Sequence, residues 1–114
     1  MNEADILATL YTDTCDIERK VSSVNPDTGV TNKRIEKVET GLRCRIDEEQ
    51  SPVLLENEMQ SFYTTYTLFT YPNANIKKGD FITVNHFGDT YYFQASKPFR
   101  YYNHIEVTLE LKER

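Results

Sequence analysis

His86 and His104 are the only imidazoles in this sequence, and Cys15 and Cys44 the only thiols. Catalysis needs a nucleophile beside a base, a carboxylate pair held in a cleft, or a metal with suitably spaced ligands. Each histidine falls next to turn residues at the end of a predicted strand, where a solvated or hydrogen-bonded imidazole is the ordinary outcome. The four residues add up to a two-Cys, two-His zinc set. Structural zinc sites, however, draw their ligands in close pairs two to four residues apart, and these four are all remote from one another. The glycines, Gly29, Gly41, Gly79 and Gly88, are dispersed and each has a turn to serve, so no glycine-rich phosphate cradle forms. Acidic pairs such as Glu48 with Glu49 have no partnering base nearby and default to solvated charge. The expectation is a protein that is not an enzyme and carries neither a cofactor nor a metal.

What remains is an aromatic surplus of eight Tyr and six Phe with no Trp. Tyr63, Tyr66, Tyr71, Tyr91, Tyr92, Tyr101 and Tyr102 are too many for the core of so small a chain. Some of them, with Tyr63, Tyr66, Tyr71, Tyr101 and Tyr102 the candidates, are expected at an interface or ligand face, where Tyr gives a large contact area and a polar tip. Cross-strand aromatic ladders on a partly exposed sheet are the competing explanation.

The elements that position these residues follow from periodicity. With 114 residues the chain is the size of a single domain, 1–114, able to bury a core without disulfides. Residues 2–10 predict a short helix capped by Asn2, with Ile6, Leu7 and Leu10 in one stripe that docks on the domain. From Thr14 the period becomes two: Cys15, Ile17 and Val21 share one side, and Arg19 breaks the pattern. "NPDTG" reverses the chain and predicts a hairpin of residues 14–24 with 30–38. After Gly41, "LRCRI" predicts a further strand with Leu42, Cys44 and Ile46 inward. Residues 47–61 hold five acids, a proline and a short apolar knot, and neither period persists. A long acidic loop is expected there, with Glu48, Glu49, Val53, Leu54, Leu55, Glu56 and Glu58 as candidate interaction residues. Residues 62–71 predict a strand covered on both faces. "IKKGDFITVNHFGDTYYFQ" predicts a hairpin, and "HIEVTLELK" a last strand with Ile105, Val107, Leu109 and Leu111 inward. The sum is an all-β fold: a small β-barrel or sandwich of six to seven mostly antiparallel strands, with a short N-terminal helix and one long loop.

The formal net charge is −5, and the thirteen Lys and Arg are scattered. That argues against nucleic acid as the primary ligand, which calls for a basic stripe. The sequence shows no basic leader and no apolar run near the roughly 18 residues of a membrane span. A cytosolic setting, with both cysteines as buried free thiols and no membrane contact, is expected.

The order of parts, from "CDIER" through "NPDTG", "VETGLRCRID", "YTLFTYPNANIKKGDFITVN" and "GDTYYFQASKPFRYYNHIEVTLELKER", resembles the head-closure, or head–tail joining, proteins of long-tailed bacteriophages and their prophage relatives. The likeness covers nearly the whole chain after Tyr11. It implies a β-barrel-like domain that self-associates into a ring in the virion neck, beneath the portal and its adaptor. Such a ring would retain packaged DNA, touch it only as channel lining, and present a surface to tail proteins, after assembly in the bacterial cytoplasm. Residues 47–61 fall where such proteins project a loop toward the channel or neighbouring subunits. The rival expectation is a small barrel that stacks single-stranded nucleic acid or oligosaccharide on its tyrosines, beside Lys77, Lys97 and Arg100.

Overall fold

The structure, a computed structural model, describes residues 3–54 and 60–112, with side chains of 51–63 left aside. Helix α1 spans Glu3–Ala8, and seven strands follow: β1 (Asp13–Val24), β2 (Thr31–Leu54), β3 (Gln60–Thr70), β4 (Phe81–His86), β5 (Asp89–Ala95), β6 (Phe99–Arg100) and β7 (Ile105–Lys112). The sheet runs β3-β2-β1-β4-β5-β7-β6, and β3 also pairs with β7. That extra pairing closes six strands into a ring, a small barrel in outline, with every pairing antiparallel. The short β6 takes over the edge of β7 where β5 leaves it.

Alternation supplies the core. Cys15, Ile17, Cys44, Ile46, Leu68, Ile82, Val84, Phe93, Ile105, Val107 and Leu109 all point inward and are buried, while their neighbours in sequence face out. Leu111, expected inward, is half exposed: it still pairs with Phe93 on β5, but the pairing with β3 on its other side ends at Leu109. Buried aliphatic and aromatic side chains of this kind each contribute about 1.5–3 kcal/mol, which is what holds the ring shut.

Two expectations about β2 are corrected. Residues 31–46 do not form two strands separated at Gly41. They are one strand, because Gly41 adopts φ +66° and donates its N–H to Asp16 Oδ1 at 2.8 Å, which absorbs a local irregularity in the β1–β2 register without ending the pairing. The expectation of a loop over residues 47–61 is also corrected wherever the structure describes them. Residues 47–54 continue β2, and residues 60–61 begin β3, paired from Asp47↔Thr67 out to Leu54↔Gln60. Acidic residues are poor strand formers when the pattern is read alone. Here the uncharged, Thr-rich β3 supplies the backbone partners while Asp47, Glu48 and Glu49 stay in solvent. Leu55, Glu56 and Glu58 lie outside the described residues, as do the side chains of Val53, Leu54 and Tyr63.

Consequently β2 runs through the barrel and out at both ends. Beyond Glu18, which faces Phe81, β1 pairs among the described residues with β2 alone, so residues 18–37 project as one arm. Beyond Tyr66, which faces Leu109, β3 pairs among the described residues with β2 alone, and a second arm projects the other way along β2. The radius of gyration is 17.2 Å, against about 13 Å for a compact chain of this length.

The helix docks differently from its expected stripe. Ala8 and Tyr11 are buried, whereas Ile6 and Leu10 are more than half exposed. Arg43, outward on β2, donates to the carbonyls of Ala8 and Tyr11 at 3.2 Å each and so satisfies the helix's C-terminal end. The proposed Asn2 cap lies outside the described residues.

Candidate assembly surface

The base of the first arm is clamped by the residue that broke the alternation. Arg19 forms a two-pronged ion pair with Asp80, Nε to Oδ1 and Nη2 to Oδ2 both at 2.8 Å, and reaches Asn75 Oδ1 at 3.1 Å. Asp80 is buried and also accepts the Lys77 N–H at 2.8 Å. The planar guanidinium matches the carboxylate fork, and the bond to Asp80 holds the Arg19 pKa above its ordinary value.

Side chains on this arm face solvent on both sides. Val24, Val30 and Ile35 are more than half exposed, although nothing polar compels them to be there. Ile35 lies directly opposite Lys20 in the register and is flanked along β2 by Lys33 and Lys37. In the angle between arm and barrel is a cleft of about 300 Å³ lined by Glu18, Ile35, Phe81, Thr83, Tyr92 and Lys112, with core Ile82 and Phe93 at its floor. Its lining is mostly apolar.

The second arm is the electrostatic opposite. Residues 47–61 contain five acids and no Lys or Arg, whereas residues 18–37 contain five Lys or Arg against three acids. At its root a shallower cleft is lined by Leu7, Leu10, Tyr11, Arg45, Asp47, Phe69 and His104.

The candidate tyrosines divide into two groups. Tyr66 and Tyr71 are half-buried and serve packing: Tyr66 lies 5.0 Å from Phe93 between ring centroids, and Tyr71 meets Tyr11 edge-on at 5.4 Å. Burial raises the pKa of Tyr11 and of Tyr66 above that of a free phenol, with Tyr71 adding to it at Tyr11 and Glu48 at Tyr66. Tyr101 and Tyr102 are exposed. Tyr101 stacks on the part-buried His104 at 4.6 Å and neighbours Phe99 at 4.9 Å, so two exposed rings sit against a third that is largely covered. Tyr102 and Asn103 hydrogen-bond Glu3, which ties this corner to α1; the bond to Glu3 raises the Tyr102 pKa.

Phe87 escaped the sequence reading. It occupies the β4–β5 turn at φ +48°, is 80% exposed, and is the only non-glycine residue with positive φ among the described residues. A bulky side chain in the left-handed region is strained, and leaving it in water adds no burial in return. A recognisable signal was present in "HFGD", where Phe takes the turn position that Asn or Gly normally fills.

The chemistry-bearing residues are occupied structurally. His86 Nδ1 lies 2.7 Å from Asp13 Oδ1, and the other Asp13 oxygen accepts the Ile46 N–H at 3.0 Å. The buried carboxylate thereby ties β1, β2 and β4 together. The rings of Phe87 and Tyr91 also lie beside His86. Cys15 and Cys44 are buried free thiols in contact with each other, and that contact together with burial drives the Cys44 pKa far upward. Among the described residues, no three His, Cys, Asp or Glu side chains gather as a metal site would. No helix of the structure is long and apolar enough to cross a membrane.

A solved structure with a similar fold is that of the phage-like element PBSX protein xkdH from Bacillus subtilis. It is 15% identical, the superposition covers 88% of this chain and 94% of that one, and the TM-score is 0.54. No protein-family model matches this chain, and no curated protein matches it. The likeness is one of overall fold and extends over most of both chains.

Proposed function

We propose that this chain is a non-enzymatic structural protein of a bacteriophage or prophage neck. In this reading it forms a ring below the portal and adaptor, retains packaged DNA and joins head to tail. The observation that carries the reading is the near end-to-end fold likeness to a phage-element protein, joined to a sequence order of parts that independently resembles head-closure proteins. The physical character of the molecule agrees. Two projecting arms and the exposed Val24, Val30, Ile35, Phe87, Phe99 and Tyr102 suit a protein that completes its surfaces by assembly. A net charge of −5 suits a ring that must let DNA slide.

The second reading, a barrel that stacks single-stranded nucleic acid or oligosaccharide, has the Phe99, Tyr101 and His104 cluster in its favour. Against it, Arg100 beside that cluster already donates to the Pro72 and Ala74 carbonyls. Binding of single-stranded DNA at low and high salt separates the two, since the neck reading expects no salt-dependent affinity.

The direct test is electron microscopy of particles made when the gene is deleted from its element. Free tails beside emptied, DNA-leaking heads are expected. Normally joined particles would reject the neck role.

A further inference from the structure

The β4–β5 turn carries a bulky side chain that the fold neither needs nor shelters. Both central residues have positive φ, Phe87 at +48° and Gly88 at +88°, the two-residue hairpin geometry that Asn-Gly fills without strain. Phe87 is nonetheless 80% exposed. It is also held in place. Its ring meets the His86 imidazole edge-on at 4.5 Å between centroids. His86 Nδ1 in turn lies 2.7 Å from Oδ1 of Asp13, whose side chain is fully buried. The tip of the turn is therefore a pre-set aromatic knob. Beside it stands Asp89, exposed and in no ion pair among the described residues.

A socket of matching chemistry lies at the other end of β4. The cleft under the first arm, about 300 Å³ and mostly apolar, has room for a phenyl ring, since a cavity of about 150 Å³ takes up benzene. Its surroundings are cationic: Lys112 is part of its wall, Lys20 lies opposite Ile35, and Lys33 and Lys37 flank Ile35 along β2. The acids beside it are Glu18, opposite Lys37 in the register, and Glu110, which pairs with Lys112 at 3.1 Å. The cleft at the root of the second arm fits less well, because the charges in its lining, Arg45 and Asp47, pair with each other at 3.0 Å.

A chain cannot fill its own cleft. Phe81 and Phe87 lie at opposite ends of β4, about 20 Å apart on an extended strand. The β4–β5 pairing is continuous from Phe81↔Gln94 to His86↔Asp89, so the turn cannot fold back.

We propose that the tip formed by Phe87, Gly88 and Asp89 docks in this cleft of a second copy of the chain. The Phe87 ring enters against Ile35, Phe81 and Tyr92, and the Asp89 carboxylate faces the lysine rim. Strain carried by the free chain is then offset by burial in the assembly. Because His86 and Asp13 fix the ring beforehand, little side-chain freedom is lost on docking. The contact is heterologous, so it propagates from copy to copy and closes into a ring where the rotation permits. It deepens the neck reading by naming which surfaces of neighbouring subunits meet, and it rests on the self-association part of that reading.

The experiment is sedimentation velocity on the full-length protein over a concentration series, with Phe87→Asn and Ile35→Glu beside wild type. Melting curves are recorded first. F87N should melt at or above the wild-type temperature, since Asn suits the turn, and I35E, at an exposed arm position, close to it. Wild type is expected to form species larger than a dimer. Each variant alone should associate on the order of tenfold or more weakly. An equimolar mixture should recover association but stop at heterodimers, because only the F87N cleft and the I35E tip are intact. A wild type that stays monomeric, an F87N that melts lower or associates like wild type, or a mixture no better than its components would overturn the tip-in-cleft contact. Any of these results would leave the neck role to the particle microscopy, which does not depend on which surfaces meet.

Discussion

The barrel and the arms are cut from the same strands yet follow opposite rules. In the barrel β2 presents Cys44 and Ile46 inward and Arg43 and Arg45 outward, and the inward residues are buried. In the arms the same strand has solvent on both faces, and its side chains sort by charge along the chain rather than by face. A half-buried sheet stabilises itself through apolar burial. A two-stranded ribbon in water is marginal alone and must be fastened to the barrel. The arms are thus cheap to alter for the fold and decisive for whatever they touch. Substitutions should separate these two kinds of dependence.

The largest expected effect is in the barrel. Phe93→Ala empties a fully buried ring site, and about 3–5 kcal/mol of stability should be lost in urea unfolding. A loss near that of a surface change would mean the ring does not close around Phe93.

At the junction, Arg19→Ala strands the buried Asp80 carboxylate and should cost about 3 kcal/mol. The double change R19A/D80A should recover part of it, which a double-mutant cycle measures. Additive effects would mean that the clamp is not what fastens the arm.

Tyr11→Phe removes the 3.2 Å hydrogen bond to the Thr70 carbonyl and should cost about 1 kcal/mol at neutral pH. Its sharper signature is in alkali. A phenol whose folded pKa is raised gives stability that is fully present below pH about 10, the unfolded value, and is lost as pH climbs through the folded one. Wild type should therefore weaken above pH about 10, and Y11F less steeply. Parallel alkaline profiles would reject the assignment to Tyr11.

The smallest effect belongs to the arm. Val24→Ser and Ile35→Ser should each change stability by less than about 0.5 kcal/mol. Ile35→Ser should nonetheless weaken self-association, whereas a large stability loss would show that Ile35 serves the fold.

Arg19 and residues 47–54 mark where legibility ended. Arg19 looked like an interruption because a period-two pattern records which face is buried, not which ion is paired, and Asp80 lies 61 positions away. Residues 47–50 looked like a loop because their side chains are exposed on both faces of the strand, which leaves no alternation in the sequence. Among the candidate site residues, Glu48 and Glu49 lie exposed on an arm and Tyr101 and Tyr102 on the surface, while Tyr66 and Tyr71 pack inside.

By itself the sequence determined most of the alternating strands, the turns at Gly29, Gly79 and Gly88 and the inward Cys15, Ile17, Cys44, Ile46, Ile105, Val107 and Leu109, because burial of one sheet face and positive φ leave residue-level marks. The tertiary structure alone decided that β3 meets β7 to close the ring, that β2 runs unbroken through Gly41, and that arms of opposite charge leave at its two ends. Those outcomes depend on backbone hydrogen bonds between distant segments, which any uncharged or charged strand can supply and which no side-chain pattern announces.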